Sequence, residues 1–279
     1  MKNPGTDGPV VVGIDGSNSA VHAALWALEE AASRDVPILL VSVVDPAVTS
    51  DVEDAMAGAQ HALHRAWERL SEAASGVKLE SEVRTGPVAD ELLIAARGAA
   101  MLCLGGKGPN HAHDHRQAVV REVVDRSPSP VAVIRHQRGA NRAAARLPKQ
   151  WITVILDDSP GSAEAMQTAI TEATLREAPL LALTSWSTTG CGPDVADSDL
   201  KTTLARYLAE SSDDDADIKA CALQMPHDLL RLLDDSAHTL MMVVVPAANR
   251  LVVQELVSPS AAKTLRKAGC SVLVVPCPG

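Results

Sequence analysis

The chain has 279 residues, of which 46% are hydrophobic but only 2% aromatic, with no Phe and a single Tyr. Val, Leu, Ile, Ala and Met must therefore build the core, and the length is enough for two domains of ordinary size. The net charge of −10 argues against a nucleic-acid-binding protein, which needs a basic surface to neutralise phosphates.

Cysteine usage and the N-terminal segment both favour a cytoplasmic protein. The five cysteines show no Cys-x-x-Cys spacing, which is typical of free thiols in a reducing compartment. Residues 1–8 contain one Lys and no apolar run, and no apolar stretch approaches the length of a membrane span. We therefore expect a cytoplasmic protein with no membrane partner.

The first half of the chain alternates apolar strands with amphipathic helices. A β-branched run over residues 9–14 is typical of a strand buried on both faces, and Ser17 or Ser19 can cap the helix that follows. The alternation predicts an open five-stranded parallel sheet with helices on both faces. Strands are predicted at residues 9–14, 38–44, 77–83, 101–104 and 131–134, and helices up to residue 33 and at residues 51–74, 88–97 and 118–125.

The fourth predicted strand runs directly into the glycine-rich segment Gly105-Gly106-Lys107-Gly108. Glycine lets the backbone approach a ligand closely, and ligands of open α/β sheets bind beyond the carboxyl ends of the strands. The segment therefore points to a phosphate-binding loop, with a simple tight turn as the alternative. Its spacing excludes a P-loop, which reads Gly-x-x-x-x-Gly-Lys-Ser/Thr.

The second half repeats the first. Asp157-Asp158-Ser159 follows a strand at residues 151–156 as Asp15-Gly16-Ser17 follows the first strand, at an offset of 142 residues. We predict two tandem Rossmann-like domains, residues 1–135 and 151–279, joined by a basic linker at residues 136–150. Further strands are predicted at residues 180–185, 240–245 and 272–275, and further helices after Pro226 and at residues 260–267.

Four segments of the first half together resemble the universal stress protein family. They are Val-Val-Gly-Ile-Asp-Gly-Ser at residues 11–17, Leu-Val-Ser-Val-Val-Asp-Pro at 40–46, the glycine loop at 105–108, and Pro-Ser-Pro-Val-Ala-Val-Ile-Arg at 128–135. The resemblance covers nearly the whole chain. It implies a regulatory stress-response protein with an ATP or other adenine-nucleotide site, working as a homodimer or through pairing of its two domains. The implied site residues are Gly13, Asp15, Val43, Gly105, Gly106, Gly108, Ala118 and Val119.

The chain departs from the family's nucleotide site in both halves. The family's loop continues with Gly-Ser/Thr nine residues after Gly-x-x-Gly, where this chain has Ala118-Val119, or Gln117-Ala118 counted back from the last strand. Each lost charged hydrogen bond costs about 1.5–3 kcal/mol, so we expect a weakened first site that Gly-Ser would restore. In the second half, residues 244–249 replace the glycine loop, and Pro246 lacks an N–H, so we expect no ordinary nucleotide site there.

Other patterns leave the function open. His111, His113 and His115 could bind zinc, or could form a polar loop that adds positive charge near a phosphate. Neither a Ser/His/Asp set nor a Gly-x-Ser-x-Gly elbow is present, so we expect no enzyme. The leading hypothesis is a nucleotide-binding regulator without turnover. A nucleotide-independent scaffold with two decayed sites comes second, and a metal- or nucleotide-dependent hydrolase third.

Overall fold

The computed structural model describes residues 8–73, 76–106, 113–135, 150–157, 159–184, 202, 219–224, 229–235 and 239–277. The chain divides into two compact units, residues 1–136 and 137–279. The segment predicted as a basic linker, residues 136–150, lies outside the described residues apart from Gln150.

The first unit is an open parallel sheet of five strands in the order β3-β2-β1-β4-β5. Because the chain crosses the sheet in one direction up to β3 and then in the other, right-handed crossovers place α1 and α2 on one face and α3 and α4 on the other. The elements are β1 (Val10–Gly13), α1 (Asn18–Arg34), β2 (Ile38–Val44), α2 (Val52–Ala73), β3 (Leu79–Thr85), α3 (Val88–Ala95), β4 (Met101–Gly105), α4 (His113–Arg126) and β5 (Val131–Ile134).

The second unit has the same architecture, with parallel strands in the order β10-β9-β6-β7-β8. The predicted fold class is confirmed. The elements are β6 (Trp151–Leu156), α5 (Ser162–Leu175), β7 (Leu180–Thr184), β8 (Ala220–Gln224), α6 (Leu229–Asp235), β9 (Leu240–Pro246), α7 (Arg250–Leu256), α8 (Pro259–Ala268) and β10 (Ser271–Val275).

Strand register defines which residues of the two units are equivalent. Val10 pairs with Ile38 and Ile152 pairs with Leu180, so the first two strands of each unit are 142 residues apart. Leu104 pairs with Val133 in β5, and Val245 pairs with Val274 in β10, which is a spacing of 141. The spacing between equivalent residues falls from 142 to 141 between the second and third strands of each unit. Ile38 pairs with Leu79, whereas Leu180 pairs with Ala220.

The cores follow the sequence pattern closely. Val10, Val11 and Val12 of β1 are fully buried, as the continuous β-branched run predicts. Helix α1 begins after the cap at Ser17 and buries a stripe of alanines, which lets it lie close to the sheet; these are Ala20, Ala23, Ala24, Ala27 and Ala31. Within the described part of the chain, no helix is both long enough and apolar enough to cross a membrane.

The main differences from the predicted elements are in α4, β3 and α7. Helix α4 begins at His113 instead of near residue 118, because its polar first turn carries no apolar periodicity to reveal it. Strand β3 spans residues 79–85 instead of 77–83, since alternation marks the faces of an edge strand but not its ends. Helix α7 was not predicted at all, and it begins at a cap supplied by Asn249.

Candidate functional site

The candidate site of the first unit lies at the carboxyl ends of β1 and β4. These neighbouring strands form the switch point of the sheet, because the chain leaves β1 toward β2 on one side and β4 leads to β5 on the other. Crossover connections diverge there and leave a crevice in which doubly wound sheets bind ligands. Asp15-Gly16-Ser17 follows β1, and Gly105 and Gly106 end β4.

The Asp15 loop is held by a small set of hydrogen bonds. The Ser17 amide donates to Asp15 Oδ1 over 2.9 Å, and Ser17 Oγ accepts from the Ala20 amide over 3.2 Å as the cap of α1. Arg65 of α2 donates from Nη2 to the Gly16 carbonyl over 2.6 Å, and Gly16 has a φ of +77° that favours glycine. These bonds fix the loop while the Asp15 side chain remains exposed.

Val43 and Gly13 lie beside this loop. Register pairs Gly13 with Val41, so the half-buried Val43 and Asp15 each lie two residues beyond that pair. Val43 is therefore level with Asp15 at this end of the sheet. A Cβ at Gly13 would lie 2.8 Å from Leu104 Cδ2, so the absence of a side chain there already serves the packing of the core.

The glycines at the end of β4 also have packing roles. A Cβ at Gly105 would lie 2.6 Å from the carbonyl carbon of Ser19 and 2.7 Å from the amide nitrogen of Ala20, both in the first turn of α1. Gly106 donates its amide to the Ile134 carbonyl over 2.7 Å, and a Cβ there would lie 2.6 Å from Arg135 Cγ. Gly108 lies outside the described residues.

Ala118 and Val119 do not lie at a helix N-terminus, contrary to the expectation. They are the sixth and seventh residues of α4, where Ala118 is exposed and Val119 is half-buried. Only the first four amides of a helix lack an intrahelical acceptor, so amides at these two positions are committed to the helix. The mismatch with the family's Gly-Ser pair is therefore a difference in local structure as well as in side chains.

Most of the predicted histidine cluster lies outside what the structure describes. His113 and His115 belong to α4, but their side chains are outside the described part. His111 lies outside the described residues. Among those that are described, no group of three or more His, Cys, Asp or Glu residues is placed to hold a metal ion.

Two other arginines of the first unit are held by carboxylates. The hydrogen bond to Glu82, followed by the bond to Glu91, raises the pKa of Arg84 and ties β3 to α3. The hydrogen bond to Asp90, followed by the bond to Glu122, raises the pKa of Arg126 and ties α4 to α3. Both are structural ion pairs.

In the second unit, the carboxylate equivalent to that of Asp15 accepts hydrogen bonds from residues of its own loop. Asp157 Oδ1 accepts from the Ser159 amide over 3.0 Å and from the Ser159 hydroxyl. The Ser162 hydroxyl lies 3.1 Å from the same oxygen and 2.8 Å from the Asp157 carbonyl. This carboxylate is half-buried and serves the turn into α5.

Hydrogen bonds within the second unit also fix the loop after β9. Pro246 is the equivalent of Gly105, because it pairs with Val275 as Gly105 pairs with Ile134. The Ala247 amide donates to the Val275 carbonyl over 2.8 Å, and the Asn249 amide donates to the Pro246 carbonyl over 3.0 Å. Asn249 Oδ1 then accepts from the Val252 amide over 3.2 Å, so several amides of this loop are already used within it.

Side chains also crowd the N-terminus of α5. Gly161, which precedes α5, has a φ of +92°, and a Cβ there would lie 3.6 Å from both Pro246 Cβ and Cys277 Sγ. Pro246 and Cys277 therefore lie next to the N-terminus of α5. Neither arrangement was foreseen from the sequence beyond the loss of the glycines and of the Pro246 N–H.

Comparisons with known proteins agree with this fold and motif pattern. Residues 8–135 match the model of the universal stress protein family. The chain is 32% identical over 269 residues to the universal stress protein Rv2624c of Mycobacterium tuberculosis and 33% identical over 273 residues to Rv2028c of the same organism, with 95% of each chain covered in both cases. It shares its fold with a universal stress protein from Archaeoglobus fulgidus, with a TM-score of 0.72, 15% identity and coverage of 98% of this chain and 97% of that one. The chain therefore belongs to the universal stress protein family.

Proposed function

We propose that the first unit binds ATP or another adenine nucleotide and that the protein is a regulator of the stress response without nucleotide turnover. The observation that carries the proposal is the difference between the two Asp-containing loops. Asp15 accepts from the Ser17 amide, but its side chain is exposed at the switch point of its sheet, whereas Asp157 is half-buried and also accepts from serine hydroxyls. A carboxylate that is exposed at this position can be reached by a ligand.

The shape of the first site supports a nucleotide in particular. Val43 offers an apolar surface level with Asp15, and the glycine-rich segment begins with Gly105 at the end of β4. An apolar surface suits a flat heterocyclic base, a carboxylate suits its hydrogen-bond donors or those of a ribose, and side-chain-free backbone suits phosphates.

The same site is weaker than one with the family's full loop. Ala118 and Val119 offer neither a hydroxyl nor a free amide to a phosphate, since both lie inside α4. Each missing charge-assisted hydrogen bond costs about 1.5–3 kcal/mol of binding free energy. We therefore propose ATP binding in the first unit alone, with reduced affinity.

A nucleotide-independent scaffold is the second candidate. The closed loop of the second unit favours it, because Pro246, Asn249 and Asp157 there are engaged in structure that leaves little for a ligand. In this alternative, the first unit has also lost its nucleotide site, because Ala118 and Val119 replace the family's Gly-Ser/Thr pair.

Calorimetric titration with ATP separates the two candidates. Wild type should bind one ATP per chain, Asp15→Ala should weaken binding by about tenfold or more, and Asp157→Ala should leave it unchanged. Equal losses in the two variants would contradict a site confined to the first unit, and no binding by wild type would favour the scaffold. Mass spectrometry of freshly purified protein would show whether a nucleotide is carried from the cell.

The remaining proposals concern the working form of the protein. We place it in the cytoplasm as a homodimer that does not hydrolyse ATP. Fractionation of cells, light scattering of the purified protein, and phosphate release from ATP measure these three properties.

A further inference from the structure

One buried arginine of the first unit lies directly against the glycine loop. Arg135 follows β5 and is 6% exposed. A Cβ at Gly106 would lie 2.6 Å from Arg135 Cγ and 3.3 Å from Arg135 Nε, so the arginine side chain passes over the face of Gly106. A methyl group at residue 106 would occupy space that the arginine now fills.

The second unit lacks both members of this pair. By strand register, Ala247 is the equivalent of Gly106 and Pro276 is the equivalent of Arg135. The backbone contact beneath them is retained, since the Ala247 amide donates to the Val275 carbonyl as the Gly106 amide donates to the Ile134 carbonyl. The arginine and the space for it are thus present together in one unit and absent together from the other.

The pair occurs in the unit in which the strand-end aspartate, Asp15, is exposed. Pro276 has no charge and no donor, whereas an arginine remains protonated even when buried. Ala247 makes the same backbone hydrogen bond with a side chain present. At Gly106, a Cβ would meet both Arg135 Cγ, at 2.6 Å, and the Ile134 carbonyl oxygen, at 2.9 Å, so Arg135 is one of the two groups that favour glycine there.

Two other arginines of the first unit make hydrogen bonds to other parts of the structure. Arg84 is held by Glu82 and Glu91, and Arg65 donates to the Gly16 carbonyl in the loop after β1. Arg135 takes part in an interaction of its own within the structure, but a guanidinium has five N–H donors, which is enough to keep a partner and bind a phosphate oxygen as well.

We propose that Arg135, admitted by Gly106, supplies the positive charge that binds the phosphate groups of the nucleotide in the first unit. This inference rests on the proposed nucleotide site and names the residue that recognises the phosphate end. Arg135 would take over part of the phosphate binding that Ala118 and Val119 do not provide. In a chain of net charge −10, a local cation is needed to favour a polyphosphate at this site.

The test compares ATP with adenosine, which lacks phosphate, by calorimetric titration. Arg135→Gln should weaken ATP binding by about tenfold or more and leave adenosine binding within about twofold of wild type. Arg97→Gln is the matched control, because Arg97 is an exposed arginine just before the amino end of β4, and its removal changes the net charge equally. It should leave the affinity for both ligands unchanged.

A second variant covers the case in which Arg135→Gln does not fold. The double substitution Gly106→Ala/Arg135→Pro installs the pair that the second unit accommodates at the same register, and it should show the same selective loss of ATP affinity. Equal ATP affinity in wild type and these variants, or parallel losses of ATP and adenosine, would overturn the role of Arg135 while leaving the nucleotide site intact. Failure of wild type to bind either ligand would overturn both proposals.

Discussion

The carboxyl ends of the two sheets show how one architecture can present a site in one unit and close it in the other. In the first unit, Asp15 is exposed, and β4 ends at Gly105, which Gly106 follows. In the second, Asp157 accepts from two serine hydroxyls, and Pro246 stands at the end of the equivalent strand. The strand order is the same, and the described difference lies in side chains and loop hydrogen bonds at the strand ends.

The comparison teaches that the same residue type can serve binding in one unit and folding in the other. A half-buried polar group held by several hydrogen bonds contributes mainly to stability, whereas an exposed one can also reach a ligand. Asp157→Ala should therefore act mainly on stability and Asp15→Ala mainly on binding, and the glycine at the end of β4 should affect stability as well as binding.

The largest expected effect is on Gly105. Gly105→Ala should lower the free energy of unfolding of the first unit by about 1–3 kcal/mol, because the new methyl group meets the rigid backbone of α1 at Ser19 and Ala20. Guanidinium titration followed by circular dichroism measures this change.

Gly58→Ala is the matched control for that experiment. Gly58 lies in α2, and a Cβ there has no heavy atom within 4 Å, so this substitution should stabilise the unit by up to about 1 kcal/mol. A tolerated Gly105→Ala would mean that α1 can move away from β4, and the packing role of that glycine would then be wrong.

The next effect concerns the aspartates. Asp157→Ala should lower the free energy of unfolding of the second unit by about 1–3 kcal/mol, because the amide and the hydroxyl of Ser159 lose their acceptor. Asp15→Ala should cost less stability, since it removes the acceptor of the Ser17 amide in an exposed loop. A larger loss of stability in Asp15→Ala than in Asp157→Ala would contradict the division of roles between the loops.

Much of the fold could be predicted from the sequence because buried parallel strands are continuous apolar runs. The bounds of β2, β5 and β6 match the predictions residue by residue, since each run is closed by polar residues, Gly or Pro. The position of the site was also predictable, because parallel strands present their carboxyl ends on the same edge of a sheet.

The roles of single residues in the site were less predictable, since they depend on contacts between distant segments. The sequence predicts a ligand contact for Gly105, and the structure shows that the absence of a side chain there also lets the first turn of α1 pack against β4. The approach of Arg135 to Gly106 depends on strand register that no local pattern reveals. Helix α4 was placed too late because its first turn is polar, and that error also misplaced Ala118 and Val119.

That correction changes the expected result of restoring the family's Gly-Ser pair. Ala118→Gly/Val119→Ser should now lower the free energy of unfolding by about 1 kcal/mol, because glycine in a helix interior is unfavourable. It should leave ATP affinity within about twofold of wild type, since amides inside a helix cannot bind phosphate. Gln117→Gly/Ala118→Ser tests the alternative register, and tighter ATP binding by either variant would show that this part of α4 opens to receive a phosphate.

The smallest expected effect is on Arg65, which holds the Asp15 loop from α2. Arg65→Gln removes the hydrogen bond from Nη2 to the Gly16 carbonyl, an exposed contact that should contribute about 0.5–1.5 kcal/mol or less to the free energy of unfolding. Because the loop carries Asp15 and not the glycines of β4, loosening it should weaken ATP and adenosine binding by the same factor. Arg135→Gln, in contrast, should affect ATP alone. Comparing the two variants therefore tests which end of the nucleotide each arginine affects. Calorimetric titration of both variants with both ligands gives the four affinities, and a loss confined to ATP in Arg65→Gln would mean that Arg65 also binds phosphate.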